Sequence, residues 1–377
     1  METIFIKNHK KKINIMKTIS FITIHRGPNF GSNLQAIATS EVLKELGFAP
    51  TLVNYIPKHR TLSNYWIEAF KTPWRLVRRI IFGRNYARNI KIYNGYLAAH
   101  CQMSSPIYDS DNFAEKCPKS DFYLTGSDQV WNSKHNLYLN KRYFFEGLPS
   151  SVKKVSYSAS FGIDELPIEE YQEVKKMLAS YSHISVRENS AKVIVESMGY
   201  QATQLIDPTI MLDLERWKAF MSERIINEPY LLLYIPYNIV DKKKIYETAR
   251  MIAKEKSLKV VTFSWDFTKE SLADKTIRYA NPGDFLSLMH YADFVITNSF
   301  HGTAFSINLN KQFFVYMPSG FGTRIKSILT LCNLENRLLI GKETNYPVED
   351  IIDYSSVNKI LDAERQRATN FLKQALQ

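Results

Sequence analysis

The sequence predicts an α/β protein of two domains built on parallel sheets, and three observations carry that expectation. Apolar runs of strand length alternate with helix-period segments along most of the chain, as parallel strands joined by crossover helices require. At 377 residues the chain exceeds what one ordinary core holds, so two domains are the default. The alternation also breaks near Asp207 and Pro208, is loop-like again at Asn227–Pro229, and restarts with the buried run Tyr230–Ile235.

Taken in order, Lys17–Ile24 reads as a strand and His25–Ser32 as a loop containing Gly27, Pro28 and Gly31. A helix follows with Leu34, Ile37, Ala38, Val42 and Leu46 on one side, ending at Gly47, and Thr51–Tyr55 is the next strand. The connecting sequence RGPNFGSN is neither GxGxxG nor a phosphate-binding P-loop, so no nucleotide is expected at this turn. Asn29, Ser32 and Asn33 nevertheless offer hydrogen bonds to a polar ligand.

Between Ala69 and Tyr108 there is no Asp or Glu, whereas Lys71, Arg75, Arg78, Arg79, Arg84, Arg88 and Lys91 are all cationic. Trp66, Phe70, Trp74, Leu76, Val77, Ile80, Ile81 and Phe82 are interleaved with them. Such a segment suits an anionic membrane face; it would also attract nucleic acid, and it equally describes a helical insertion whose charges are merely solvated. No nucleic-acid-binding motif accompanies it, so nucleic acid is not expected as a partner.

Asp121–Thr125 is a short strand running into Gly126, Ser127 and Asp128, with Trp131 beyond. A glycine followed by polar residues at a strand's carboxyl end suits a site, and Trp131 is of a kind that stacks on sugars; a turn with a packed Trp is the plainer reading. Lys153–Ser160 is a strand, 168–181 a helix, and Ile184–Val186 a strand ending on Arg187, after which Glu188 and Asn189 open a helix.

The second half reads as strand Tyr230–Ile235, helix Asp241–Lys256, strands Lys259–Ser264 and Lys275–Tyr279, and a helix carrying Phe285, Leu288, Met289 and Ala292. A βαβα unit then follows: strand Asp293–Thr297, a turn at Asn298 and Ser299, a helix opening at Phe300, strand Gln312–Met317, a Gly-containing loop and a helix opened by Arg324. Cys332 completes an apolar stripe with Ile325, Ile328 and Leu329, which makes it a core residue. The last helix, about Ser356–Leu376, carries Val357, Ile360, Leu361, Phe371 and Leu372 on one stripe.

His301 is the informative residue of that unit. With Ser299 as N-cap it lies in the first helical turn, where free N–H groups and the helix dipole favour an anion. Gly302 removes a side chain that would keep a ligand off the backbone. Arg324 and Arg187 each stand at a strand-to-helix junction on the carboxyl edge of a parallel sheet, where small ligands bind. The expected site therefore takes a small anionic substrate; the plainer reading makes His301 a packing residue and the arginines surface charges.

Composition narrows the classes. Hydrophobic residues make up 45% and charged residues 23%, a globular balance. Cys101, Cys117 and Cys332 form neither a CxxC pair nor a disulfide framework, and no His/Cys/Asp cluster has ligand spacing, so no metal is expected. No apolar run reaches membrane-spanning length, and residues 1–15 lack a secretory signal, so the expected location is the cytoplasm.

Together the segments FITIHRGPNFGSNLQA, FYLTGSDQVWN, VSYSASFG, ISVRENSA, LIDPTIML and DFVITNSFHGTAFSINLNK, with the Arg324 loop, resemble the polysaccharide pyruvyl transferase family from about Thr18 to Leu338. The resemblance implies two Rossmann-like domains facing across a cleft (GT-B-like). The expected division is 1–15 a disordered lead, 16–225 an N-terminal domain carrying the basic insert 58–108, 226–345 a C-terminal domain, and 346–377 a helical segment packing back. It further implies transfer of pyruvate from phosphoenolpyruvate to the hydroxyls of a saccharide or lipid-linked saccharide, in cell-surface polysaccharide synthesis and without a cofactor. Arg187, His301 and Arg324 match the family's functional arginine, histidine and second arginine, with Lys326 or Arg337 as substitutes for the last. Asn33, Ser127, Asp128, Asn298, Ser299, Gly302 and Thr303 complete the expected substrate-binding set, and the basic insert is the expected contact with the inner face of the membrane. A glycosyltransferase using a sugar nucleotide is the alternative, since the fold would be shared.

Overall fold

The computed structural model describes residues 16–237, 242–264, 270, 272–318, 322–340, 346 and 348–377. Residues 1–15, Asp241 and the loop residues 319–321 discussed above lie outside them.

The strands in chain order are β1 (Thr18–Ile22) and β2 (Ala49–Leu52), a small pair β3 (Tyr55–Ile56) and β4 (Ile107–Tyr108), then β5 (Phe122–Thr125), β6 (Lys153–Ala159), β7 (Tyr181–Val186) and β8 (Thr203–Gln204). The second half supplies β9 (Tyr230–Tyr234), β10 (Lys259–Phe263), β11 (Lys275–Ile277), β12 (Phe294–Thr297), β13 (Gln312–Tyr316) and β14 (Leu338–Leu339). They form two sheets, in the orders β2-β1-β5-β6-β7-β8 and β11-β10-β9-β12-β13-β14, with every pairing parallel. The direction of strand addition reverses between β1 and β5 and between β9 and β12. At such switch points the flanking loops diverge and leave a crevice at the carboxyl ends.

Central strands buried on both faces explain the near-continuous apolar runs: all of β5, β9 and β12 is buried. The strand expected at Thr51–Tyr55 is instead two pieces. Ala49–Leu52 pairs with β1, and Tyr55–Ile56 leaves the sheet to pair with Ile107–Tyr108. The helix after β1 spans Phe30–Glu45 and starts earlier than its apolar spacing suggests, because Asn29 caps it by accepting from Ser32 N at 3.2 Å.

That early start matters for the junction of the two halves. Phe30, at the helix's first position, stacks on Phe285 (4.8 Å between centroids) and Tyr93 (5.2 Å) and tilts against Phe263 (5.1 Å) and Tyr234 (6.0 Å). One aromatic plug thus joins the first sheet's leading helix to the carboxyl ends of β9 and β10. Such offset and tilted pairs add about 0.5–1.5 kcal/mol each beyond burial.

The basic stretch is helical: Leu62–Ile67 packs on the long helix Pro73–His100, with Tyr65 stacked on Tyr86 at 4.2 Å. The carboxyl half of the long helix is anchored through Tyr93 and Leu97, both buried. The final helix, Tyr354–Ala375, runs back toward the first half. Arg365 donates to Ile210 O (2.9 Å) and Asn308 Oδ1 (2.7 Å), Phe371 meets His183, and Lys153 Nζ reaches Gln377 O at 2.9 Å. Cys332 is buried, as the stripe with Ile325, Ile328 and Leu329 predicts.

Candidate active site at the junction of the two sheets

Three basic side chains from different elements meet around one ring. Arg187 follows β7, His301 lies in the first turn of the helix Phe300–Asn308, and Arg324 lies in the first turn of Thr323–Leu331. All three are buried. The Phe300 ring receives Arg187 at 4.4 Å and Arg324 at 5.6 Å and meets the His301 imidazole edge-on at 5.2 Å. Phe300 thus spaces two cations that repel each other, and its electron-rich face offsets part of that cost.

The two guanidiniums differ in their partners. Arg187 Nη1 donates to Asp207 Oδ2 at 2.8 Å and to Ser127 Oγ at 3.3 Å. Asp128 and Glu188 stand at 3.7 and 3.9 Å, while Nε and Nη2 have no hydrogen-bond partner. Burial opposes its charge, but Asp207, Asp128 and Glu188 together outweigh that and raise its pKa. For Arg324 no carboxylate lies within ion-pair distance among the described residues, and its Nε and Nη1 are buried without partners. Its pKa is lowered by burial and by Arg187. A buried, uncompensated guanidinium is costly, and an anionic ligand would satisfy it.

Asp207 holds the cluster together. As the N-cap of the short helix Pro208–Met211 it accepts from Thr209 N (3.0 Å) and Oγ1 (2.7 Å) through Oδ1. Through Oδ2 it accepts from Ser127 Oγ at 2.7 Å as well as from Arg187. His301 Nε2 lies 4.0 Å from the same oxygen, too far for a hydrogen bond, and has no other partner. Burial lowers the His301 pKa, with Asp207 and Asp128 opposing and Arg187 and Arg324 reinforcing. The imidazole is therefore neutral at neutral pH and able to accept a proton. Burial alone would raise the Asp128 carboxyl, but the Arg187 guanidinium holds it below the usual range. Asp128 adopts φ of +73°, uncommon for a non-glycine residue, and accepts from Ser32 Oγ at 2.9 Å.

A cavity of about 450 Å³ opens onto the two arginines, lined by Arg187, Asp207, Phe300, Arg324, Lys326, Glu364 and Arg367 among others; His301, beside Phe300, is not part of its lining. Its walls come from both halves of the chain, and its size is that of a small-ligand site.

Other expected residues have different occupations. Ser127 and Asp128 are in the cluster. Asn33 donates to His25 O at 3.0 Å, leaving its Oδ1 unpartnered. Asn298 uses both ends of its amide on the Tyr237 backbone. Ser299 occupies the N-cap position without a side-chain capping bond, and Thr303 Oγ1 donates back to Ser299 O at 2.9 Å. Gly302 faces the protein: a Cβ there would lie 2.2 Å from Thr297 Oγ1 and 3.0 Å from Tyr234 Cδ1, so the glycine lets helix and strand approach. Trp131 is not available to a sugar, being buried and stacked on Phe144 at 5.1 Å. Arg337 sits over Phe314 instead (5.9 Å), whereas Lys326 reaches the cavity beside Arg324.

Three contributors were not singled out from sequence. Asp207–Pro208 reads as a break, yet an Asp cap followed by Pro at the first helical position is a helix-start signal. Phe300 enters the sequence reading only as the residue that opens a helix. Gly31 looked like a loop residue, but a Cβ there would stand 2.1 Å from His301 Nδ1, so the helix of the first half makes room for the imidazole of the second.

Two neighbouring histidines give a stability prediction. Burial lowers His25 and His135 to about 4 each. Both stay neutral in the fold, while in the unfolded chain they charge below 6.5, so the unfolded form binds more protons between pH 6.5 and about 4. Stability therefore falls as pH drops through that window, by about 3 kcal/mol for His25. Urea unfolding at about pH 7 and about pH 4.5 measures this, and a midpoint that did not fall would contradict neutral burial.

A family model described as polysaccharide pyruvyl transferase matches residues 29–320. Comparison with curated proteins gave no sequence match. Among solved structures, a UDP-N-acetylglucosamine 2-epimerase is similar with TM-score 0.51 and 11% identity, covering 94% of this chain and 90% of that one. The S. aureus MnaA–UDP structure is similar at 0.50 and 12%, with 95% and 91% covered. Arabidopsis thaliana UGT89C1 is similar at 0.50 and 7%, with 96% and 99% covered. At such identities these likenesses show the fold alone: the two-domain GT-B architecture shared by glycosyltransferases and epimerases.

Proposed function

The chain belongs to the polysaccharide pyruvyl transferase family, and from that premise we propose that it moves the pyruvate unit of phosphoenolpyruvate onto two hydroxyls of a saccharide as a ketal. The observation that supports this reading most is Arg324, a buried guanidinium with no carboxylate in ion-pair distance among the described residues, opening onto the same cavity as Arg187. Phosphoenolpyruvate brings a carboxylate and a phosphate. Arg324 with Lys326 receives one anionic group, and the free Nε and Nη2 of Arg187 receive the other.

Neutral His301 takes the proton of the attacking sugar hydroxyl. A proton added to the enol methylene leaves C2 electrophilic, and the hydroxyl oxygen bonds there. The C2–O bond to phosphate then breaks, phosphate leaves with its electron pair, and a second hydroxyl adds to C2 and loses its proton. Phosphoenolpyruvate and a diol become a pyruvate ketal and phosphate, with no oxidant, reductant or metal in the balance.

Arg324→Gln keeps the size and removes the charge. The expected result is phosphoenolpyruvate binding weakened by about 30-fold or more, since loss of a buried charged partner costs about 2–5 kcal/mol. Titration calorimetry reads it; unchanged affinity would remove Arg324 from the site, and saturable binding of a sugar nucleotide with no response to phosphoenolpyruvate would favour a glycosyltransferase instead.

The setting we propose is the cytoplasmic face of the cell membrane, within cell-surface polysaccharide assembly. No described helix is long and apolar enough to cross a membrane. Peripheral contact is supported by the insert, where Ile67, Phe70, Trp74, Ile80 and Ile81 are each at least 60% exposed and the charge is positive. Co-sedimentation with anionic vesicles at low salt, lost on Trp74→Glu with Ile81→Glu, is the expected outcome; equal binding by the variant would remove the contact.

A further inference from the structure

The cavity at the two arginines has unlike ends. At one end Arg187 is surrounded by carboxylates: Asp207 at 2.8 Å, Asp128 at 3.7 Å and Glu188 at 3.9 Å, all buried. At the other end Arg324 has no carboxylate within ion-pair distance among the described residues, and exposed Lys326 stands beside it in the cavity wall. The remaining charges of the lining, Glu364 and Arg367, pair with each other. The Phe300 ring separates the two ends, its centroid 4.4 Å from Arg187 and 5.6 Å from Arg324.

Glu188 is the least expected of these carboxylates. It holds the N-cap position of the helix Asn189–Ser197 yet makes no side-chain capping bond. Its side chain turns inward, where Oε1 accepts from Ser160 Oγ at 2.9 Å and from Gly162 N at 2.8 Å. Oε2 is buried with no hydrogen-bond partner, 3.9 Å from an equally unpartnered Arg187 Nε. Leaving a carboxylate oxygen unpaired in the interior is costly, and one guanidinium does not need three counter-charges. Helix starts do not distinguish the two ends, because Asn189–Ser197 and Thr323–Leu331 both lack a side-chain cap and offer free N–H groups to an anion. The carboxylates do. A group bearing two negative charges is repelled from the Arg187 end and drawn to Arg324 and Lys326, whereas a singly charged group meets Nε and Nη2 of Arg187 at less cost.

We infer that Asp128 and Glu188 are specificity-determining residues: they reserve the Arg187 end for a carboxylate and direct the doubly charged phosphate of the donor to Arg324 and Lys326, which fixes the way round that phosphoenolpyruvate lies across Phe300. This rests on the transferase reading for the identity of the donor, but the two ends are measured separately with fragments and without turnover.

Inorganic phosphate, largely a dianion at about pH 8, is titrated calorimetrically into the full chain, and pyruvate binding is followed by ligand-observed NMR. Lys326→Gln is expected to weaken phosphate by about fivefold or more and to leave pyruvate unchanged. Glu188→Gln keeps the oxygen that serves Ser160 and Gly162 and removes the charge; it is expected to strengthen phosphate by about fivefold or more, because a close like charge is gone. A merely structural role would weaken both ligands instead. Asp128→Asn repeats the test at a second position if Glu188→Gln does not fold. Phosphate affinity unchanged or lower in the folded carboxylate variants would overturn the inference, as would loss of pyruvate rather than phosphate in Lys326→Gln or no phosphate binding by the wild type. Fragments binding as assigned, with no ketal formed on any saccharide, would count against the transferase reading alone; ketal formation with the two ends reversed would count against this inference alone.

Discussion

Replacing His301 with alanine is expected to lower acceptor-dependent phosphate release by about 10²–10⁴-fold, the range a single general acid or base supplies. Nε2 is buried, has no hydrogen-bond partner and lies 4.0 Å from the Asp207 carboxylate, so it can take a hydroxyl proton with a negative charge nearby to stabilise the imidazolium. A packing role predicts a different pattern: a lower melting temperature with turnover per folded molecule unchanged. The pH profile sharpens the distinction. Because burial keeps the ring neutral below its usual 6.5, free-enzyme activity that depends on it persists as pH falls to 6.5 and is lost only further down. Circular dichroism with phosphate assays on the same samples separates the cases, and wild-type turnover in folded His301→Ala would end the catalytic role.

Gly31→Ala is the second large effect, and its sign runs against local propensity. In a helix, Gly to Ala ordinarily stabilises by about 1 kcal/mol. Here the added Cβ would lie 2.1 Å from His301 Nδ1 and 2.2 Å from Cγ, so the imidazole or the helix must shift. A displacement near 1 Å at the reacting group costs about 10² in rate, and overpacking costs about 1–3 kcal/mol of stability. The expected variant is folded, less stable than wild type and about 100-fold slower. Unaltered kcat would mean that His301 and the first-domain helix do not share the packing described.

Much of this arrangement was legible in the sequence, for identifiable reasons. Parallel strands buried on both faces announce themselves as apolar runs, which is why β5, β9 and β12 were found within a residue or so of their bounds. Strand-to-helix junctions mark the ligand edge of such sheets, which drew attention to Arg187, His301 and Arg324. Where sequence reasoning fell short, long-range packing decided the outcome. Gly302 and Gly31 are both glycines near a helix start, yet one makes room for Thr297 and Tyr234 and the other for His301; nothing local distinguishes them. Trp131 has the composition of a sugar platform, but the stacked Phe144 claims it. Asp207 was hidden by its proline, although that pair also specifies the cap that aims its carboxylate at Arg187. The short edge strands β8 and β14, two residues each, leave no periodicity to read.

The central claim is that Arg187, His301 and Arg324 together present phosphoenolpyruvate to a sugar hydroxyl. Incubation of the protein with phosphoenolpyruvate and a panel of saccharides, followed by mass spectrometry and phosphate assay, tests it most directly. The account predicts an acceptor gaining one ketal-linked pyruvate for each phosphate released, abolished in Arg324→Gln. Phosphate release without pyruvate on any acceptor, or full ketal formation by Arg324→Gln, would contradict it.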